Sequence, residues 1–188
     1  MVKVIKSDED PNFGRSAIES GNNAKCQDKS RTEYFGWGSF RGVVGGYIFF
    51  DSGGPDDHGG RGFVITNGYG RWLMSDWKIG DFQSIRLVPG GVVLRYRRVF
   101  QHSCSLYYGG ATGCWGQIKA KTALTDASTP ECRDAYEAKY QEYKKKWPQS
   151  AKYVKTLGAA VSYNVEARIQ DGKTSLVPLR GPAECWPG

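Results

Sequence analysis

From Tyr34 to Asp126 short apolar runs alternate with glycine turns, while residues 1–32 are polar, charged and without apolar period. The first pattern is that of an antiparallel meander. Gly46-Tyr-Ile-Phe-Phe50 reads as one strand. Phe63 to Thr66 and Tyr69 to Met74 flank Asn67-Gly68, which supplies the two positive-φ residues of a type I′ turn and so predicts a hairpin. Ser84 to Val88 and Val92 to Arg97 predict the next one. With Gly90-Gly91 as its turn, Leu87 faces Leu94, Ile85 faces Tyr96 and Arg86 stands opposite Arg95. A third hairpin is expected from Phe100 through the Tyr107–Gly113 turn to Ala120. Near the end, Val161 to Ile169 alternates like a strand, Asp171-Gly172 turns, and Thr174 to Leu179 returns with Pro178 suited to an edge.

One stretch keeps a different period. Cys132, Tyr136, Tyr140, Tyr143 and Trp147 recur at helical spacing behind Ser128-Thr-Pro-Glu131, which has the form of a capping box. Acidic residues come early and Lys144, Lys145 and Lys146 late, matching the helix dipole, and Pro148 ends the run. The fold class expected is α+β: a mainly antiparallel sheet, a meander of hairpins or a partly closed barrel, with one amphipathic aromatic-rich helix packed on it. Residues 1–32 are expected to form a flexible or loosely docked arm and residues 33–188 a single disulfide-containing domain.

The cysteines bear on compartment. Cys104 and Cys114 bracket a glycine turn and are the local pair, and Cys132 with Cys185 ties the helix to the C-terminal end. The fifth, Cys26, is then free, bonds a partner chain, or displaces one of these two pairs, since spacing does not fix connectivity. Such usage points to a secreted or periplasmic protein whose leader is replaced by Met1, since Met1-Val-Lys-Val-Ile-Lys-Ser-Asp has no signal-peptide core. No apolar run is long enough to span a bilayer as a helix. No two cysteines stand two to four apart, so no zinc motif is read, and no metal or cofactor is expected. The formal charge of +7 favours an acidic protein or an anionic glycan as partner, with nucleic acid as a further option.

Candidate chemistry is sparse. Arg86, Arg95 and Arg97 fall on one face of the predicted second hairpin, where opposed guanidinium groups cost stability unless an anion or carboxylate lies between them. Trp37, Trp72, Trp77 and Trp115 lie near glycines or turns, where aromatic platforms for sugars or proteins are found; Trp72, Trp77 and Trp115 join the three arginines as candidate binding residues. The polar loop Gly53–Gly62 gathers Asp56, Asp57, His58 and Arg61, and His102 shares a strand face with Cys104. His58 and His102 are therefore the candidates for acid–base catalysis. No phosphate-binding loop, dinucleotide fingerprint, nucleophile elbow or His-Glu-x-x-His motif is present.

These residues support an interaction protein rather than an enzyme: an inhibitor, an immunity-type protein or an adhesin-like module that binds an anionic partner through hairpin loops and the arginine face. The alternatives are a small exported toxin or hydrolase acting on nucleic acid or glycan with a histidine acid or base, and a cytosolic nucleic-acid-binding domain.

Overall fold

The computed structural model describes residues 2–6, 16–20, 33–35, 38–52, 60–109, 113–124 and 128–188, with side chains from Ser39 onward. Cys26, Trp37 and the Asp56, Asp57 and His58 of the polar loop lie outside the described residues.

The eleven described strands are β1 (Val2–Lys6), β2 (Ser16–Ser20), β3 (Glu33–Phe35), β4 (Gly38–Val44), β5 (Tyr47–Ser52), β6 (Gly60–Asn67), β7 (Trp72–Val88), β8 (Gly91–His102), β9 (Ala159–Gln170), β10 (Lys173–Pro178) and β11 (Glu184–Pro187). Among the described residues three α-helices, α1 (Cys114–Thr122), α2 (Arg133–Lys146) and the single turn α3 (Pro148–Ala151), and the 3-10 turn Val154–Thr156 lie between β8 and β9. β1, β2 and β3 form a small antiparallel sheet, so paired strands occur within the first 32 residues despite their lack of apolar period. The main sheet runs β10-β9-β8-β7-β6-β5-β4, with β11 on β9. It is a largely antiparallel meander and an open path with β10 and β4 at its ends, not a barrel.

The chain divides into two compact units, Met1–Leu94 with Ala167–Ser175, and Arg95–Glu166 with Leu176–Gly188. The first unit is a sheet of hairpins whose core is Ile48, Phe49, Phe50, Phe63, Val64, Ile65, Met74 and the start of β8, Val92 to Leu94. Gly45 and Gly46, both at positive φ, close β4 onto β5 as a two-residue turn. Asp171 and Gly172, also at positive φ, do the same between β9 and β10, as the sequence predicts. The second unit centres on Tyr96, Leu106, Trp115, Ile118, Tyr136, Val161 and Tyr163, all buried.

Four expectations need correction. Asn67-Gly68 does not make a two-residue turn. Asn67 instead accepts Tyr69 N–H and Arg71 N–H on its side-chain oxygen, both at 3.0 Å, and Gly70 takes the positive φ, which gives a longer loop. Between β7 and β8 the turn residues are Pro89-Gly90. Proline presets φ at the first position and Gly90 supplies φ +71 at the second, so Gly91 belongs to β8 and the register that opposes Arg86 to Arg95 does not arise.

The third hairpin is absent. Cys114–Thr122 is helical, with Cys114, Trp115, Ile118 and Thr122 buried at helical spacing, so the fold has more than the one aromatic helix expected. Finally, α2 begins at Cys132 with no side-chain cap bond. Glu131 accepts Arg133 N–H instead, and the Ser128 capping box does not form. The aromatic stripe of α2 fades along its length, from fully buried Tyr136 to exposed Trp147.

Both expected disulfides are present, Cys104–Cys114 and Cys132–Cys185. They fit an oxidising, extracellular type of compartment. Among the described residues no helix is long and apolar enough to cross a membrane.

Candidate functional site

The strongest concentration of buried charge lies in the first unit, on β4 to β7. Register places it. Asp51 on β5 pairs with Phe63 on β6, Phe63 pairs with Asp76 on β7, and two residues away Arg61 pairs with Lys78. Direct partners and residues two apart share a sheet face, so these side chains rise from one side. Arg61 and Lys78 are thus two cations directly opposed, an arrangement that costs stability unless a carboxylate lies between them.

Asp51 supplies it. Its Oδ1 lies 3.8 Å from Lys78 Nζ and its Oδ2 3.9 Å from Arg61 NH1. The third cation arrives through a defect in the sheet. Ser39, Phe40 and Gly42 pair in turn with Asp51, Phe50 and Phe49, which leaves Arg41 as the extra residue of a bulge. Bulges re-aim side chains, and here the guanidinium of Arg41 closes on Asp51 Oδ2 through both Nε and NH2.

The three cations differ in access. Lys78 is 4% exposed, whereas the side chains of Arg41 and Arg61 are about half exposed, at 50% and 46%. The Lys78 ammonium donates to Gly80 O at 2.8 Å and sits 5.2 Å from the centre of the Phe82 ring, a cation–π contact. Gly80, at φ +67, interrupts the pleat of the long β7 two residues beyond Lys78. Phe82 also meets Phe49 and Phe63 edge-on, at 5.7 and 5.0 Å between centroids. Together Arg41, Phe49, Asp51, Lys78, Asp81 and Phe82 border a cavity of about 310 Å³. That is the small end of the ligand-pocket range, room for one compact group held by a few polar contacts against apolar walls.

The sequence-predicted residues are placed as follows. In the second unit, Arg95 Nε donates to Glu166 Oε2 at 3.0 Å. Arg97 Nε donates to Ser162 Oγ at 2.9 Å, and its NH2 lies 3.0 Å from Glu184 Oε2, close enough to pair though not aligned for a hydrogen bond. Arg86 lies exposed on β7 in the first unit. Arg95 and Arg97 thus have carboxylate partners within the fold. Trp72 and Trp77 are 58% and 43% exposed, and both belong to the first unit. Trp115 is 4% exposed and packs in the core of the second unit, so it offers no surface platform. His102 lies against the Cys104–Cys114 bond, its Nδ1 3.0 Å from Cys104 Sγ. Those two sulfurs are bonded to each other, so Cys104 is not a thiol nucleophile in this state.

Sequence reasoning passed over Arg41, Asp51 and Lys78. The traces were there: a lysine inside an aromatic strand two residues before a glycine, and an arginine interrupting Phe40 and Gly42. No family model, curated protein or solved structure matches this chain. Function is therefore argued from the chemistry of the site.

Proposed function

We propose that the protein is an exported binding protein that recognises an anionic group, a carboxylate, sulfate or phosphate, on an acidic protein or an anionic glycan. The group would enter the cavity beside Asp51. The observation that carries this reading is the convergence of three cations within 4 Å of one carboxylate, two of them half exposed. A guanidinium has five donors in a planar fork, so Arg41 and Arg61 keep capacity for a second anion after meeting Asp51. Asp51 holds the cations together, and an incoming anion takes the guanidinium donors that Asp51 leaves over. The disulfides and the overall charge of +7 support an exported protein with an acidic partner.

Binding is preferred to catalysis because His102, the described histidine, lies against the Cys104–Cys114 disulfide. The test is retention on an immobilised sulfated polysaccharide. Arg41→Gln with Arg61→Gln is expected to elute at markedly lower salt than wild type, and Arg95→Gln with Arg97→Gln close to it. The reverse order would move the site to β8. Retention on single-stranded nucleic acid but not on the polysaccharide would favour the nucleic-acid reading.

A further inference from the structure

The second unit holds a cluster whose chemistry the binding role does not use. His102 ends β8, with its Nδ1 3.0 Å from Cys104 Sγ and accepting Cys104 N–H at 3.2 Å. One donor atom from each of His102, Cys104 and Cys114 lies within 4.8 Å of the others, so the imidazole is near both sulfurs. Cys114 is the first residue of α1, the end of a helix that favours negative charge, and the N-cap Gly113 has no side chain to compete for that position. Access is unequal: Cys104 is half-buried and Cys114 fully buried.

We propose that Cys104–Cys114 is a thiol–disulfide exchange site whose reductant is a dithiol. One thiolate of the dithiol attacks the reachable sulfur, Cys104 Sγ, forming a mixed disulfide. The Cys104–Cys114 bond breaks, and its electron pair leaves on Cys114 Sγ as a thiolate at the start of α1. The second thiolate of the dithiol then attacks its own sulfur in the mixed disulfide. The dithiol closes to a cyclic disulfide, and Cys104 leaves as a thiolate beside the His102 ring, within hydrogen-bond reach of its Nδ1. In sum the protein gains two electrons and the dithiol loses them, and the two protons shed as the dithiol ionises pass through solvent to the Cys104 and Cys114 thiolates. Low-pKa thiols leave faster, so an imidazole within hydrogen-bond reach of one sulfur and a helix start beneath the other speed both steps.

The other disulfide is built differently. Cys132 and Cys185 are 1% and 8% exposed. Cys132 also stands at a helix start, so access and His102, rather than a helix end alone, set the first pair apart.

The experiment is reduction of the full native chain by dithiothreitol, quenched by alkylation at intervals and mapped by peptide mass. Cys104 and Cys114 are expected to be labelled at least about tenfold sooner than Cys132 and Cys185, and His102→Ala to slow the first pair roughly three- to tenfold while leaving the second unchanged. Simultaneous opening of the two pairs in the wild-type protein overturns the proposal whatever the variant does. An unchanged opening rate in His102→Ala overturns the role given to the imidazole.

Discussion

Arg61 and Lys78 stand directly opposite each other across β6 and β7, and the carboxylate of Asp51 lies within 4 Å of both. The pairing is asymmetric in what each removal leaves behind. Without Asp51, three cations lose their shared counter-charge, one of them almost fully buried. Without Lys78, the carboxylate keeps two guanidinium partners, and the exposed Gly80 carbonyl can turn to water. Asp51→Asn is therefore expected to cost about 3 kcal/mol in urea unfolding, and Lys78→Met, of similar volume, less than about 1 kcal/mol. Equal costs would mean that Lys78, not Asp51, organises the cluster.

In the second unit Glu137 and Lys155 pair at 2.7 Å, with Tyr107 hydrogen-bonded to both. The hydrogen bond from Lys155, and then that from Tyr107, holds the Glu137 carboxyl below its ordinary 4.5. Its bond to Glu137, and then that to the Tyr107 hydroxyl, raise the Lys155 ammonium above its ordinary 10.5. A lowered carboxyl contributes stability above its ordinary value and loses it as pH falls through the folded value. A raised ammonium contributes below its ordinary value and loses it as pH rises through the folded one. The pair thus stabilises fully between these two ordinary values. Glu137→Gln is expected to lower Tm near neutral pH and to converge with wild type in strong acid. A Tm difference that persists at the lowest pH would show that the loss is one of packing.

Gly91 opens β8 where a side chain has no room. A Cβ built there would come within 2.2 Å of the backbone oxygen of Ile169. Because that contact is backbone, relief requires moving a strand, and Gly91→Ala is expected to cost about 1 to 3 kcal/mol. Full stability in the variant would show that β8 and β9 are farther apart in this region than described.

The tryptophans divide by burial. Trp115→Ala is expected to cost about 3 to 5 kcal/mol, the range for emptying a buried ring site. Trp77, 43% exposed, should cost far less when replaced by Ala. Chemical denaturation of the two variants, read by circular dichroism so that the lost fluorophore does not matter, checks the contrast.

How much of this was legible follows from the range of each signal. The turn pair Asp171-Gly172 and the two cysteine pairs act locally or through unusual chemistry and are present, whereas Asn67-Gly68 is not a two-residue turn because the Asn67 side chain accepts N–H groups of its own loop. The hairpin after Cys104 did not, because Trp115 and Ile118 bury at helical spacing inside a run too short for periodicity to decide. The register of β7 and β8 turned on whether Pro89 or Gly91 joins Gly90 in the turn, a choice of one residue that carries every later pairing with it. The expectation that opposed cations require a carboxylate between them was sound in kind. It is met at Arg61 and Lys78 instead of Arg86 and Arg95, since the strand pairing that brings Asp51 alongside is set by long-range contacts that spacing does not encode. Arg41 was hidden for a similar reason: a bulge is a mismatch between two strands and is visible only when both are in place.

Recognition of an anion in the first unit is checked by amide hydrogen exchange with and without a saturating sulfated oligosaccharide. Added protection is expected over residues 39–52 and 60–82, which carry Arg41, Asp51, Arg61 and Lys78. Protection confined to Arg95–His102 and the facing part of β9 would contradict it.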